Sequence, residues 1–271
     1  TNYGIEYSFT KDLSAQSFED CIQSNTKLIY IETPSNPLLK LVDIFAIAKL
    51  AKSRQIISAA DNTFASPIIQ NPIDLGIDIV MHSATKYFGG HSDISAGAVA
   101  SSQEIMDKIW DLAKDFGGNL SDYTVWLLER SMKTLGIRVK AQQRNAKRLA
   151  KYLQKHPAVK AVFYPGLKSN PYHSLAKIQM KGFGAMLSFE LKDHCDSNAF
   201  LKALNLIKPS MSLAGVESTM LLPSKASHAL LSENDRKAQG ITDQLIRFSV
   251  GIETKKDLIE DIEQAITASN V

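Results

Sequence analysis

Short apolar runs alternate with helical periodicity along the first hundred residues. Residues 27–33 (KLIYIET), 56–62 (IISAADN) and 77–84 (IDIVMHSA) read as strands, and 43–54 (DIFAIAKLAKSR) repeats apolar positions at helical spacing. A fourth run, AGAVAS at 96–101, leads into an amphipathic segment at 103–115. Strand and helix in alternation predict a mostly parallel sheet, with functional residues just past the carboxyl ends of its strands. Those ends are ETPSNP, ADNTF and HSATKY.

From Asp122 to about His156 there is no proline and apolar residues recur at helical spacing, interrupted by Gly136. This predicts one long or kinked helix linking two parts, with a boundary near 137–142, so that residues 1–139 and 140–271 form separate domains. Lys140, Arg144, Lys147, Arg148, Lys151 and Lys155 make a basic stripe along its second half. Tyr152 is the one aromatic residue within it, too few for base stacking, so the stripe reads as a solvated face. Beyond it AVKAVFYPG, GAMLSFEL and LIRFSVGIE read as strands, with helices near 174–180, 196–205 and 255–268, an α+β arrangement. There is no internal repeat.

Composition narrows the class. With 271 residues, 44% of them hydrophobic, the chain can bury a core without disulfides or structural metals. A net charge of +3 is too small for a nucleic-acid or anionic-membrane footprint. Cys21 and Cys195 form no disulfide framework, and no apolar run reaches the roughly 18–20 residues of a membrane helix. A cytoplasmic protein is expected.

Common signatures fail. Gly182 and Gly184 are not followed by a third glycine, since Leu187 stands there, and Ile94 spoils a nucleophile elbow at Gly90-His91-Ser92-Asp93. Asp193, His194, Cys195 and Asp196 are too crowded in sequence to converge on one ion and read as a polar turn. Polar residues at the strand ends remain. Lys86 is an amine flanked by the hydroxyls of Ser83 and Thr85, and Asp61 is a carboxylate 25 residues earlier. Asn36 and Arg247 supply an amide and a guanidinium, the pairing that grips an α-carboxylate. Taken singly, each has an ordinary explanation as a solvated charge, a cap, a turn residue or an ion pair.

Together YIETPSNP, AADNTFASP, HSATKYFGGHSD, MSLAGVES and LIRFSVGIE resemble the Cys/Met-metabolism family of pyridoxal-phosphate enzymes, over nearly the whole chain. The family includes cystathionine γ-synthase, cystathionine γ- and β-lyases and methionine γ-lyase. The resemblance implies that Lys86 is the Schiff-base residue and proton shuttle, that Asp61 pairs with the pyridinium, and that Ser83 and Thr85 bind phosphate. It gives Asn36 and Arg247 to the substrate carboxylate and cofactor edge, and Ser212 to the substrate side. It also implies the aspartate-aminotransferase-like type I fold, an α/β architecture with a seven-stranded sheet domain and a smaller C-terminal domain, assembled as dimers of dimers. Family members carry an N-terminal arm and a Y-G-G-T loop that add phosphate contacts and a stacking tyrosine, and neither is in this sequence. The fold is therefore expected to be N-terminally incomplete: a fragment, a chain completed by another, or a weak or inactive paralogue.

In several family members a glutamate precedes the serine matched by Ser212 and faces the polar tail of the substrate, whereas here the residue is Met211. A thioether cannot pair with a distal ammonium, which favours a C–S lyase acting on a sulfur amino acid of cystathionine or methionine type. The alternatives are γ-replacement on an activated homoserine and a non-catalytic partner of a complete homologue.

Overall fold

The computed structural model describes residues 3–269. The first part runs α1 (Ala15–Asp20), β1 (Leu28–Glu32), α2 (Ile44–Ser53), β2 (Ile57–Asp61), α3 (Ser66–Ile69), β3 (Ile79–Ser83) and β4 (Gly97–Ser101). Its sheet has the order β1-β2-β3-β4, the first three strands parallel and β4 antiparallel to β3. The mostly parallel sheet expected from the alternation is present, with four strands among the described residues where the resemblance implies seven.

Side chains alternate across this sheet, and its two faces differ. Ile29, Ile31, Ala60 and Val80 are buried against Ile44, Ile47, Ala48 and Ala51 of α2. On the opposite face Leu28, Tyr30, Ile57, Met81 and Val99 are between 36% and 49% exposed. The register puts Asp61 and Ser83 on this second, open face, at the carboxyl ends of β2 and β3.

Three helices follow: α4 (Gln103–Phe116), α5 (Asp122–Met132) and α6 (Leu135–Leu153). The single helix expected over 122–156 is two, and the break falls at Lys133–Thr134 rather than Gly136, which sits inside α6. The cause is tertiary. The Ser131 carbonyl and the Thr134 hydroxyl both accept bonds from the Arg138 guanidinium, and the Thr134 hydroxyl also donates back to Ser131. The basic stripe of α6 is exposed, as expected, while Val139, Ala146, Leu149 and Leu153 face the core.

The remainder comprises β5 (Val159–Phe163), α7 (His173–Gln179), β6 (Met186–Leu191), α8 (Ser197–Ala203), β7 (Lys208–Pro209), β8 (Thr219–Leu221), α9 (Glu233–Gln239), β9 (Leu245–Ser249) and α10 (Lys255–Ser269). A second sheet has the order β5-β6-β9-β8-β7, antiparallel except for β7 with β8. Every residue of β6 and β9 is buried, and Phe200, Leu258, Ile262 and Ala265 from α8 and α10 join the same core. At about 1.5–3 kcal/mol for each fully buried large apolar side chain, this core anchors the strand that carries Arg247. The Asp193–Asp196 stretch is the turn into α8, with Asp196 as its cap.

Candidate functional site

Three strand ends and two loops build the site. After β1 the chain turns sharply: the Ser35 N–H donates to the Lys40 carbonyl and the Leu39 N–H to the Ser35 carbonyl, and Leu39 holds a left-handed φ of 53° while nearly fully buried. The Glu32 carboxylate accepts the Asn36 N–H at 3.0 Å, and Ser188 Oγ of β6 donates to the Pro37 carbonyl at 2.7 Å. These bonds hold Asn36 toward the C-terminal sheet. Arg247 meets it from β9, Nη1 donating to Asn36 Oδ1 at 3.4 Å and Nη2 to the Met211 carbonyl at 3.0 Å. Arg247 is 3% exposed, and burial pulls its pKa down to about 10, so it stays a cation at neutral pH. Among the described residues no carboxylate pairs with it, leaving a buried positive charge without an anion.

Asp61 ends β2. Its Oδ1 accepts the Thr63 N–H at 2.9 Å, and its Oδ2 has only the Tyr30 hydroxyl, at 3.5 Å, as a hydrogen-bond partner among the described residues. Thr63 in turn ties the strands, its Oγ1 accepting the Ser83 N–H at 2.8 Å. Lys86 follows β3 in a tight turn closed by Gly89 N–H to the Ala84 carbonyl and Gly90 N–H to the Lys86 carbonyl. Its amine is half-buried, and first desolvation, then the Arg247 charge, lower its pKa from the usual lysine value. No ion pair or hydrogen bond engages it among the described residues.

The site residues expected from sequence thus gather at the strand ends and the two facing loops. Ser212 lies on one of those loops, its hydroxyl 3.1 Å from Ser92 Oγ and its carbonyl 3.5 Å from Arg247 Nη2. Met211 lends its carbonyl to Arg247 and points its side chain outward, 64% exposed. The two hydroxyls before Lys86 differ. Ser83 Oγ has no partner among the described residues, whereas Thr85 Oγ1 accepts the Ala96 N–H at 2.9 Å and donates to the Ala96 carbonyl at 3.2 Å.

Sequence reasoning missed three neighbours. Tyr30 shares the face of Asp61, which the period-two alternation of β1 could have revealed, and its hydroxyl pKa is raised to about 12 by burial and by the Asp61 and Glu32 charges. His82 stacks on Phe88 with ring centroids 4.7 Å apart, and burial lowers its pKa to about 4, so it is neutral at pH 7. His228 is held below the ordinary histidine range by burial and by Arg247. A cavity of about 260 Å³ lined by Arg144, Asn145, Arg148 and Lys255 shares none of these residues.

An amine and a hydroxyl without hydrogen-bond partners among the described residues, a carboxylate with one oxygen bonded weakly at 3.5 Å, and a buried guanidinium around adjoining strand ends fit what a pyridoxal-phosphate site needs. Comparison with known proteins agrees. The profile of the family described as Cys/Met metabolism PLP-dependent enzyme matches residues 1–267. The chain is 46% identical over 264 residues to a cystathionine gamma-lyase of Bacillus subtilis, covering 97% of this chain and 70% of the relative. It is 44% identical over 267 residues to a cystathionine beta-lyase of Lactococcus lactis, covering 98% and 70%. The crystal structure of a cystathionine gamma-lyase from Lactobacillus plantarum complexed with L-serine superposes with a TM-score of 0.93 at 44% identity, covering 95% of this chain and 68% of that one. The chain belongs to the Cys/Met-metabolism family of pyridoxal-phosphate-dependent enzymes and has its type I α/β fold.

The hydroxyl geometry separates two variants. Ser83→Ala is expected to weaken pyridoxal phosphate binding by about 1–3 kcal/mol, roughly five- to 150-fold, with little change in melting temperature. Thr85→Ala strips the Ala96 N–H of its partner and is expected to cost about 1–2 kcal/mol of stability. Cofactor titration and thermal unfolding of both variants check this, and equal losses of affinity at unchanged stability would contradict it.

Proposed function

We propose that the protein is a carbon–sulfur lyase of sulfur amino-acid metabolism, converting cystathionine- or methionine-type substrates and water into a thiol, a 2-oxo acid and ammonia. One observation carries the reading: the unpaired, desolvated amine of Lys86 lies within the field of the Arg247–Asn36 pair, so a substrate carboxylate held there presents its α-carbon to a base. Pyridoxal phosphate, when bound, supplies an electron sink for the α-carbon. Lys86 holds the cofactor and moves the α-proton, Asp61 holds the proton of the ring nitrogen, and Ser83, with Thr85, faces the phosphate. Arg247, Asn36 and Ser212 seat the substrate, and Met211 borders its distal end. In the same reading residues 1–139 form the cofactor domain and 140–271 the C-terminal domain, a division supported by the two separate sheets. A cytoplasmic homo-oligomer, a dimer of dimers, completes it. The exposed Trp110, Phe116 and Trp126 of α4 and α5 support an assembled state, and no helix among the described residues is long and apolar enough to cross a membrane.

The test is product analysis with pyridoxal phosphate present. Equal yields of thiol, 2-oxo acid and ammonia from cystathionine or methionine are expected. Cystathionine formed from an activated homoserine and cysteine, without 2-oxo acid, would replace this reading with γ-replacement, and no product from either substrate set would leave the non-catalytic one. Met211 bears on the choice of tail. Met211→Glu is expected to raise kcat/KM for cystathionine relative to methionine, because a carboxylate pairs with the distal ammonium of the former. At this exposure an ion pair contributes about 0.2–1 kcal/mol, so the ratio should move by about 1.4- to five-fold. An unchanged ratio would mean that Met211 does not meet the tail.

A further inference from the structure

Arg138 is a buried guanidinium, 5% exposed, with no carboxylate partner among the described residues. Four oxygens satisfy it instead. Nη1 donates to the Tyr87 carbonyl at 2.8 Å, Nη2 to the carbonyls of Phe88 at 3.2 Å and Ser131 at 2.9 Å, and Nε to Thr134 Oγ1 at 3.1 Å. Tyr87 and Phe88 directly follow Lys86. Gly90 makes room for this grip: a Cβ there would run into the guanidinium, and its φ of +72° already disfavours any side chain. Burying a charge on neutral dipoles is costly, so the arrangement stabilises a particular loop geometry at the expense of desolvation.

The same helix reaches two further pieces of the site. Gln142 Nε2 donates to the Gly215 carbonyl at 2.6 Å, in the loop that follows Ser212. Asn145 Nδ2 donates to the carbonyls of Gly251 and Glu253, at 3.2 and 2.8 Å, just after the strand of Arg247. Residues 138, 142 and 145 lie on one face of α6, turned away from the basic stripe. The Gly90 carbonyl closes the set by accepting the Val216 N–H at 2.9 Å.

We propose that Arg138 is a positioning residue for Lys86: it clamps the loop that presents the amine, and α6 thereby registers that loop against the Ser212 loop and the exit of β9. The proposal rests on the reading of Lys86 given above. It is tested in the 271-residue chain with Arg138→Gln, Arg138→Lys and Gly90→Ala, the last displacing the guanidinium without altering it. The first readout needs no cofactor: labelling of Lys86 at fixed pH by a small amine-reactive anhydride, mapped by mass spectrometry with Lys140 as internal control. Loosening the loop admits water and restores the ammonium, so labelling of Lys86 should slow by about three-fold while Lys140 is unchanged. The second readout is borohydride-trapped pyridoxyl on Lys86, whose half-saturating pyridoxal phosphate concentration should rise on the order of ten-fold or more. Arg138→Lys keeps the charge but reaches fewer of the four oxygens, and should recover both only in part.

Melting temperatures that fall while both Lys86 readouts stay at the parental value would overturn the proposal and leave Arg138 a purely structural residue. Should Arg138→Gln not fold, Arg138→Lys and Gly90→Ala decide the matter by the same readouts. A parental protein that takes no pyridoxyl on Lys86 would sink the functional reading alone, since the labelling comparison still reports whether Arg138 governs that amine.

Discussion

Borohydride reduction of the protein in the presence of pyridoxal phosphate should place a pyridoxyl group on Lys86, and Lys86→Ala should remove both that label and turnover. The amine is the selective target because its ammonium is disfavoured: burial and the neighbouring Arg247 both lower its pKa, so the neutral, nucleophilic form is reached at lower pH than for a solvated lysine. At exposed Lys237 the shift is opposite, its pKa raised by its bond to Glu233. At neutral pH the label should therefore concentrate on Lys86 and spread to other lysines only as pH rises. Loss of the amine removes both the point of attachment and the base, and turnover should fall by about 10²–10⁴-fold from the lost proton transfer alone. Peptide mapping checks the label and 2-oxo acid release checks the rate. A pyridoxyl group on another lysine, or undiminished turnover in Lys86→Ala, would remove the assignment.

Much of this site is legible because the residues end strands. Apolar runs stop at Asp61 and Ser83 for a physical reason, since the polar groups lie where the sheet meets solvent, and alternation places both on one face. The pairing of Arg247 with Asn36 is different. The two are 211 residues apart, and no local period links them, so only their chemistry, an amide and a guanidinium suited to an α-carboxylate, and the resemblance brought them together. β7 and β8, two and three residues long, carry too little pattern to register as runs. α9 was not predicted, although Ser232 caps its start with a bond from the Asp235 N–H and Gly240 ends it in the left-handed region. The break between α5 and α6 has no proline or glycine at its centre and is set by Arg138 from the next turn. Arg138, Gln142 and Asn145 look like solvated helix residues in a basic sequence. Their lying opposite the stripe of Lys140, Arg144, Lys147 and Lys151, among Val139, Ala146 and Leu149, is the signal that they face inward.

Asp61→Asn should keep the pyridoxyl attachment at Lys86 yet lower kcat by about 10²–10⁴-fold. The replacement is nearly isosteric, and an amide oxygen can still accept the Thr63 N–H that now bonds Oδ1, so the end of β2 and its link through Thr63 to Ser83 should survive. What disappears is the charge shared by the other oxygen, Oδ2, which accepts a long bond from the Tyr30 hydroxyl at 3.5 Å. A carboxylate there stabilises a proton on the ring nitrogen, whereas a neutral amide offers no charge to hold it, and the electron sink weakens accordingly. Glu32 provides the internal control. It lies beside Asp61 in the register of β1 with β2, but its carboxylate is spent on the Asn36 N–H, so Glu32→Gln should disturb the substrate loop and raise KM more than it lowers kcat. Steady-state kinetics at saturating cofactor, with attachment measured in parallel, separate the two residues. A near-parental kcat in cofactor-saturated Asp61→Asn, or a larger loss of kcat in Glu32→Gln, would transfer the role away from Asp61.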